Sequence, residues 1–332
     1  MSNLTANEQG DAVVQPGRRA TGIVGDRVFR QLSGLCALIV LGLIMAIAVA
    51  LVIGAWPALR QFGVGFVTST QWNPVTDEYG ALVAIFGTLA SSLMALIIAV
   101  PVSFGIALFT TELAPAWLRQ PISTAIELLA AVPSIIYGMW GIFVFAPFLS
   151  TWVQPPLSRW LGDMALLGYL FRGPPIGIGI FTAGLVLSIM IVPFITAVMR
   201  DTFNVVPPLL KESAYALGAT TWEVARSVIL PYTRVGVIGG IMLGLGRALG
   251  ETMAVTFVIG NAHTIPQGLF YPGNSIAATL ANEFTEATGE LYTSSLIALG
   301  LVLFLITLIV LVLARLLLMS LAGGQGHSEG AS

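Results

Sequence analysis

The stretch from Gly240 to Val255, GIMLGLGRALGETMAV, holds two charged residues in an otherwise apolar run. Arg247 and Glu251 are four positions apart, so they would lie one turn apart on the same face of a continuous helix. An ionised residue near the middle of a bilayer costs at least about 2.5–3.5 kcal/mol on insertion scales. Two interpretations are open. The pair holds one helix to another, or Arg247 meets a translocated anion while Glu251 limits the net charge of the arginine and fixes its position.

Hydroxyl groups extend this candidate substrate path. Thr252 directly follows Glu251, and Ser134 lies beside Pro133 in an earlier apolar run. Hydroxyl side chains in membrane helices often bond their own backbone, so a purely structural role is the alternative for both residues.

The motifs of common enzymes are absent from the sequence. It contains no HExxH, no GxxxxGK[ST] loop and no GxSxG with a histidine partner. His263 and His327 have no second histidine or cysteine nearby, so we predict neither a metal site nor a catalytic residue. The formal net charge is −2, so the chain as a whole lacks the positive electrostatic potential that would attract a nucleic acid.

The composition places these residues in lipid. Hydrophobic residues make up 56% of the 332 residues and charged residues only 9%, against about 25% charged residues in soluble proteins. We therefore expect an all-α integral membrane protein, and six runs reach the roughly 20 residues that a spanning helix needs. The predicted spans are about 33–55, 82–109, 122–149, 178–198, 235–259 and 295–318.

Three regions are expected: a largely disordered cytoplasmic tail at 1–30, a transmembrane domain at 31–320, and a disordered tail at 321–332. The arginines and the lysine set the orientation. With the N-terminus in the cytoplasm, ten of them lie inside, and only Arg60, Arg159 and Arg172 lie outside. Both termini are therefore predicted to be cytoplasmic. Glu127, near a cytoplasmic boundary, is expected to stay in water or to pair with Arg119.

Glycines recur along the fifth predicted span at a spacing of four residues: Gly236, Gly240 and Gly244, then Gly246 and Gly250. Small residues at this spacing let helix backbones approach closely. We predict that the five glycines pack this span against another helix, and a helix that bends during gating is the alternative.

A long cytoplasmic loop at about 200–234 is predicted to contain two short amphipathic helices. The first covers about 209–217, with Gly218 as its C-terminal cap. Thr220 and Glu223 have capping-box spacing and would start the second helix, which is expected to end at Pro231. From these residues alone, the helices would either rest on the lipid surface or dock on a partner.

The same loop resembles the EAA loop of ABC importer permeases. That pattern is matched here by Glu212-Ser213-Ala214, three residues, Gly218, nine residues, and Val228-Ile229-Leu230-Pro231. Ser213 and Val228 depart from the pattern while preserving size and character. The resemblance implies that this loop docks into a cleft on a cytoplasmic ATPase, with Glu212, Ser213, Ala214, Gly218, Leu230 and Pro231 as the coupling residues.

Two further stretches, ELLAAVPSIIYG at 127–138 and LGLGRALGETMAVTFVIGN at 243–261, resemble PstC-type permeases of phosphate ABC importers. The resemblance covers about 27–318. It implies a type I ABC importer permease (MetI-like) fold in a bacterial inner membrane, surrounded by lipid. The implied partners are a homologous second permease, two cytoplasmic ATPase subunits that bind the ATP and Mg, and an extracytoplasmic phosphate-binding protein. No cofactor is expected in this chain.

A guanidinium suits such a substrate, because its planar fork of donors matches phosphate oxygens. Four alternatives remain at this point: a sulfate or molybdate permease, the partner permease of the same system, a membrane signalling component that reports phosphate status, and a secondary transporter. The EAA-like loop argues against the last.

Overall fold

The computed structural model describes residues 20–162, 164 and 167–323 of the 332-residue chain. The predicted disordered tails lie partly outside the described residues, at 1–19 and 324–332. Within the described part both tails are shorter than predicted. The first helix already begins at Ala20, and the last helix continues to Gly323.

Six helical segments of the described chain are long and apolar enough to cross a membrane, which confirms the number predicted from composition. They are numbered here as spans 1 to 6: Gly25–Phe62, Leu82–Leu113, Ser134–Leu161, Ile180–Asn204, Thr221–Leu249 and Glu290–Ser320.

Several spans are built from more than one helical element. The α-helices are Ala20–Phe62, Gly65–Thr68, Leu82–Leu108, Ala116–Ala131, Ser134–Trp140, Ala146–Phe148, Gln154–Leu161, Leu167–Leu170, Ile180–Asn204, Pro208–Ala216, Thr221–Val224, Leu230–Leu249, Met253–Val258, Ile276–Glu283 and Glu290–Gly323. Single π-helical turns continue them at Phe109–Leu113, Gly141–Phe145, Leu149–Val153 and Ala225–Ile229. In the loop between spans 1 and 2, strands Trp72–Asn73 and Glu78–Tyr79 form a short antiparallel ladder.

The chain divides into two units, residues up to Ala50 and residues from Leu51 onward. The described part of the first unit is the N-terminal portion of the span 1 helix, and its aliphatic side chains are mostly exposed. The second unit contains spans 2 to 6 and the candidate site.

Span 4 is the centre of the second unit. It packs against spans 2 and 5, and Ile191, Ile195 and Met199 on it are fully buried. Span 2 is also joined to it by a hydrogen bond, because the fully buried Ser103 donates from Oγ to the carbonyl oxygen of Val192 at 3.1 Å. Span 4 is therefore the helix against which spans 2 and 5 pack.

Span 3 differs from the prediction. The predicted span at about 122–149 is divided at Val132 and Pro133, where the backbone is extended. A separate helix, Ala116–Ala131, precedes the break, and the crossing segment is Ser134–Leu161. Pro133 thus precedes a helix rather than kinking one. A proline suits this place because it has no N–H group to leave unsatisfied at a helix start.

Span 5 differs at both ends. The second loop helix does not end at Pro231: it continues from Thr221 through the π turn into Leu230–Leu249. Pro231 is accommodated in the first turn of that last helix. At the other end the helix ends at Leu249, and a separate short helix begins at Met253. The predicted continuous span at about 235–259 is therefore wrong across residues 250–252.

Candidate functional site

Arg247 lies in the last turn of the helix Leu230–Leu249 and is half-buried. Its guanidinium carbon is 5.0 Å from the centre of the Phe194 ring on span 4, within the range of a cation–π contact. Its Nε atom is buried and has no hydrogen-bond partner among the described residues. A buried donor without a partner is unfavourable, so this guanidinium retains hydrogen-bonding capacity for a ligand.

Glu251 does not pair with Arg247, so the predicted pair is wrong for this structure: none of the ion pairs of the described residues joins the two. The physical reason is the break in span 5, which removes Glu251 from the face that carries Arg247. Instead, Glu251 Oε1 accepts a hydrogen bond from the backbone N–H of Ala254 at 3.1 Å. Glu251 therefore caps the start of the helix Met253–Val258.

The charges of Arg247 and Glu251 are each stabilised by the dipole of a different helix end. Arg247 lies near the negative C-terminal end of one helix, and Glu251 lies at the positive N-terminal end of the next. Each arrangement is favourable by about 0.3–1 kcal/mol at exposed sites and more where partly buried. The arginine can thus remain in the span without a carboxylate as its permanent counter-ion.

The two predicted hydroxyl residues lie at the breaks of spans 3 and 5. Ser134 begins span 3 after Pro133 and is half-buried. Thr252 is the residue before the helix Met253–Val258, and its Oγ1 is 3.5 Å from the carbonyl oxygen of Gly250. Neither hydroxyl bonds Arg247 in the described structure.

Gly138 brings these two broken spans together. A Cβ atom at this position would lie 2.7 Å from Cδ2 of Phe257 and 3.1 Å from the Cα of Ala254. Any larger residue would separate the segment after Pro133 from the segment after Glu251. The sequence analysis did not single out Gly138, although it lies in the stretch ELLAAVPSIIYG.

The five glycines of span 5 fall into two groups. Cβ atoms at Gly240 and Gly244 would lie 3.0 Å from Val198 and 2.6 Å from Ile195, and one at Gly236 would clash with Thr202. These three glycines therefore lie against span 4. Gly246 has open space around it, and Gly250 meets only the carbonyl oxygen of Gly246 at 3.6 Å. These two glycines lie near the helix end and do not pack against span 4, so their packing against a partner permease stays a prediction.

The loop before span 5 has the predicted local structure in its first half. A helix covers Pro208–Ala216, and Gly218 adopts a positive φ of 89°. The Thr220–Glu223 capping box is also confirmed, with both of its hydrogen bonds present. Among the predicted coupling residues, Glu212, Ser213 and Gly218 are exposed, whereas Ala214 packs against the core. Leu230 and Pro231 belong to the helix of span 5 itself.

Two ion pairs at the same end of the spans as the loop before span 5 connect distant parts of the chain. Glu127 pairs with Arg200 at 3.4 Å, and the expected partner Arg119 instead donates from Nε to the carbonyl oxygen of Ala114. The second pair joins Lys211 Nζ in the loop helix to Glu112 Oε1 at the end of span 2, at 2.6 Å. Lys211 is the only lysine of the chain.

An aromatic and acidic cluster lies in the loops at the other end of spans 1, 2 and 6. Glu283 accepts hydrogen bonds from Trp72 Nε1 at 2.8 Å and from the hydroxyl of Tyr292 at 2.7 Å. It also lies 2.8 Å from His263 Nε2, and the His263 ring stacks on that of Trp72. Burial alone would raise the pKa of Glu283, but its hydrogen bonds with His263, Tyr292 and Trp72 hold the pKa below its usual value.

Tyr79 belongs to the same cluster and packs edge-on against Trp72. Burial, followed by the hydrogen bond and the charge of Asp77, raises the pKa of Tyr79 to about 12. Trp72, Tyr79 and His263 therefore tie the loop between spans 1 and 2 to the loop between spans 5 and 6.

Comparison with known proteins identifies the kind of protein that this arrangement resembles. Residues 99–321 match the family described as binding-protein-dependent transport system inner membrane component. The chain is 60% identical over 300 residues to the phosphate transport system permease protein PstC of Pasteurella multocida, covering 90% of this chain and 93% of the relative. It is 56% identical to the protein of the same name from Haemophilus influenzae, covering 91% and 95%.

The fold is similar to that of a chain in the crystal structure of a bacterial ABC transporter involved in the import of the acidic polysaccharide alginate. The TM-score is 0.57, the identity is 19%, and the match covers 89% of this chain and 99% of the other. This similarity supports the fold of an ABC importer permease.

Proposed function

Since the chain belongs to the family of binding-protein-dependent transport system inner membrane components, we propose that it forms half of the membrane path of an ATP-driven importer of inorganic phosphate. It is a multi-pass transport permease of the inner membrane. The sulfate, molybdate, partner-permease and signalling alternatives have no comparable support, because the relatives that match over nine-tenths of the chain are phosphate permeases of the PstC type.

The partially unsatisfied guanidinium of Arg247 carries the mechanism. Phosphate cannot enter hydrocarbon without compensation of its charge, and Arg247 offers a buried donor with no partner in the described chain. A guanidinium binds phosphate oxygens through two parallel hydrogen bonds. Its contact with Phe194 holds the group in one place without using up those donors. Ser134 and Thr252, at the breaks of spans 3 and 5, would supply further polar contacts along the path.

Glu251 is proposed to limit the positive charge of the path, as predicted, but without direct contact with Arg247. Because its carboxylate caps a helix start, it lowers the positive potential of the path without neutralising Arg247 by direct contact. Phosphate is then held weakly enough to leave. In this proposal Arg247 binds the ion, and Glu251 acts through its charge rather than as a direct ion-pair partner of Arg247.

The remaining subunits follow from the family. We infer that a homologous permease forms the other half of the path, and that an extracytoplasmic phosphate-binding protein delivers the ion. Two ATPase subunits, which bind the ATP and Mg, would dock on the loop helices. Support for docking comes from the exposed apolar side chains on those helices, Leu209, Leu217 and Trp222. Both termini are taken to be cytoplasmic, and we expect no catalytic residue and no cofactor in this chain.

Uptake of labelled phosphate by assembled transporter complexes in proteoliposomes tests the proposal, with excess unlabelled sulfate as the competitor control. We expect Arg247→Ala to abolish uptake and Arg247→Lys to retain only part of it. Wild-type uptake in assembled Arg247→Ala complexes would refute the role of the arginine. Uptake of labelled sulfate as fast as that of labelled phosphate would refute phosphate as the substrate.

A second comparison separates the two possible roles of Glu251. Glu251→Gln keeps an oxygen that can accept from the Ala254 N–H but removes the charge, whereas Glu251→Ala removes both. We expect Glu251→Gln to lower kcat and KM for phosphate together, because the ion is held more tightly and leaves more slowly. Kinetics identical to wild type in Glu251→Gln would show that the residue is only a helix cap. The Arg247→Ala/Glu251→Ala double variant should lose uptake like Arg247→Ala alone.

A further inference from the structure

The loop helix Pro208–Ala216 faces the rest of the chain through very few residues. Lys211 and Ala214, three positions apart, share one face and are half-buried, whereas the neighbouring Glu212, Ser213 and Tyr215 are exposed. Ala214 packs against the hydrophobic core. Lys211 is therefore the charged anchor of this helix on the transmembrane body.

The partner of Lys211 lies at a structurally unusual place. Glu112 belongs to the π-helical turn Phe109–Leu113 that ends span 2. The Lys211 Nζ–Glu112 Oε1 distance is 2.6 Å, and the two side chains are only 17% and 8% exposed. Because the pair is shielded from water, salt screens it less than a surface pair. The Arg200–Glu127 pair differs on this point, since Glu127 is 62% exposed.

Span 2 leads from this ion pair to the substrate path. Ser103 on span 2 donates a buried hydrogen bond to the carbonyl oxygen of Val192 on span 4. Two residues further along span 4, the ring of Phe194 lies under the guanidinium of Arg247. The loop helix is thus linked to the arginine by the ion pair, the helix of span 2, the Ser103–Val192 hydrogen bond and span 4.

We propose that Lys211 and Glu112 are positioning residues, and that their ion pair transmits movement of the loop helix through span 2 to Phe194 and Arg247. This inference rests on the proposed function, in which the loop helix docks on the ATPase. The other connection from the loop to the path is the continuous helix from Thr221 into span 5. The ion pair is a second connection, so the ATPase moves both partners of the Arg247–Phe194 contact rather than one.

The test uses the complete transporter with its binding protein in proteoliposomes, and it measures phosphate uptake and ATP hydrolysis on the same preparation. The variants are Glu112→Gln, Lys211→Met, Lys211→Arg and the exchanged pair Glu112→Lys/Lys211→Glu. Glu127→Gln, which breaks the exposed ion pair, is the matched control. Co-purification of the ATPase with each variant reports on assembly.

We expect each charge-removing variant to lower the ratio of phosphate uptake to ATP hydrolysis about tenfold, a typical size for coupling between sites. ATP hydrolysis itself should continue, with less stimulation by the loaded binding protein. Lys211→Arg and the exchanged pair should recover most of the ratio, which a merely structural defect would not do. Glu127→Gln should stay near wild type.

Three results would overturn the inference: an unchanged ratio in both charge-removing variants, an exchanged pair no better than the worse of them, or an equal loss in Glu127→Gln. If the charge-removing variants do not assemble, the exchanged pair decides: a ratio near wild type supports the inference, and a ratio about tenfold lower overturns it. Absence of phosphate uptake in the wild-type complex would instead refute the proposed function, so the two failures are distinguishable.

Discussion

Gly244 and Gly246 provide a direct test of how closely spans 4 and 5 approach. Both glycines lie in the helix Leu230–Leu249, two residues apart, on different faces. At Gly244 a Cβ atom would lie 2.6 Å from two side-chain carbons of Ile195, and at Gly246 it would meet nothing within 4 Å. Replacing each by alanine therefore makes the same chemical change in two different environments.

The expected magnitudes follow from this geometry. Ordinary contact begins near 3.4 Å, so Gly244→Ala needs a displacement of about 0.8 Å (3.4 − 2.6). Ile195 is fully buried, so its side chain has to shift within the core to make room, and overpacking of this kind costs about 1–3 kcal/mol. Both alanines gain roughly 0.5–1 kcal/mol of helix stability over glycine. Because this gain is the same in both variants, it cancels in their comparison. Gly246→Ala should thus be more stable than Gly244→Ala by the cost of overpacking, about 1–3 kcal/mol.

The assay is unfolding of the purified chain in detergent, followed by the fluorescence of its seven tryptophans. The chain is used without other permease subunits, because a second subunit could fill the space beside Gly246. A second readout is phosphate uptake in the complex, because Ile195 is adjacent to Phe194 and its displacement would move the ring away from Arg247. Equal stabilities of the two variants, or a less stable Gly246→Ala, would refute the close approach of spans 4 and 5.

Three further predictions concern the loops. Gly218 has a φ of 89°, so Gly218→Val should strain the loop by about 1–2 kcal/mol and lower uptake per ATP hydrolysed, whereas Gly218→Asn should be better tolerated; equal coupling in both would contradict this. The pKa of Glu283 is lowered by folding, so its stabilising contribution should be present above the usual carboxyl pKa and be lost as the pH falls through the lowered value; thermal unfolding between pH 6 and pH 3 should show a component that Glu283→Gln lacks. Trp72→Phe keeps a ring against His263 but removes the hydrogen bond to Glu283, and it should cost about 1.5–3 kcal/mol in chemical unfolding; a loss no larger than that of a surface substitution would argue against this bond.

Features that depend on neighbouring residues in the sequence could be predicted. The capping box at Thr220 and Glu223 is formed by side chains and backbone groups within four residues, and no distant contact is needed to form it. The same holds for the turn at Gly218, where only glycine enters a positive φ without strain. The number of spans could be predicted because lipid requires long apolar runs wherever the chain crosses it.

The breaks in spans 3 and 5 were missed for a common reason. Apolar composition continues through both of them, and composition alone does not show where a helix ends. Local signals were nevertheless present: Arg247 in a last turn followed by Gly250 has the chemistry of a helix C-terminus, and Pro133 has that of a helix start. In a run of glycines, that signal was interpreted as close packing.

The ion pairs could not be predicted from the sequence. Glu127 pairs with Arg200, which is 73 positions away, rather than with the nearby Arg119. Lys211 and Glu112 are separated by 99 positions. Such partners are chosen by the packing of spans, so sequence distance carries no information about them.

The break in span 5 changes how anion release has to work. A carboxylate paired with Arg247 would weaken phosphate binding at all times, but Glu251 is occupied at a helix start and leaves the guanidinium available. The nearby Glu251 charge limits how tightly the ion is held, and a timed release additionally requires a change in the surroundings of Arg247. The neighbour able to change is Phe194, because it lies on a different span from the arginine. Movement of span 4 relative to span 5, driven by ATP hydrolysis, would then alter the position of the arginine and its affinity for the ion in the same step.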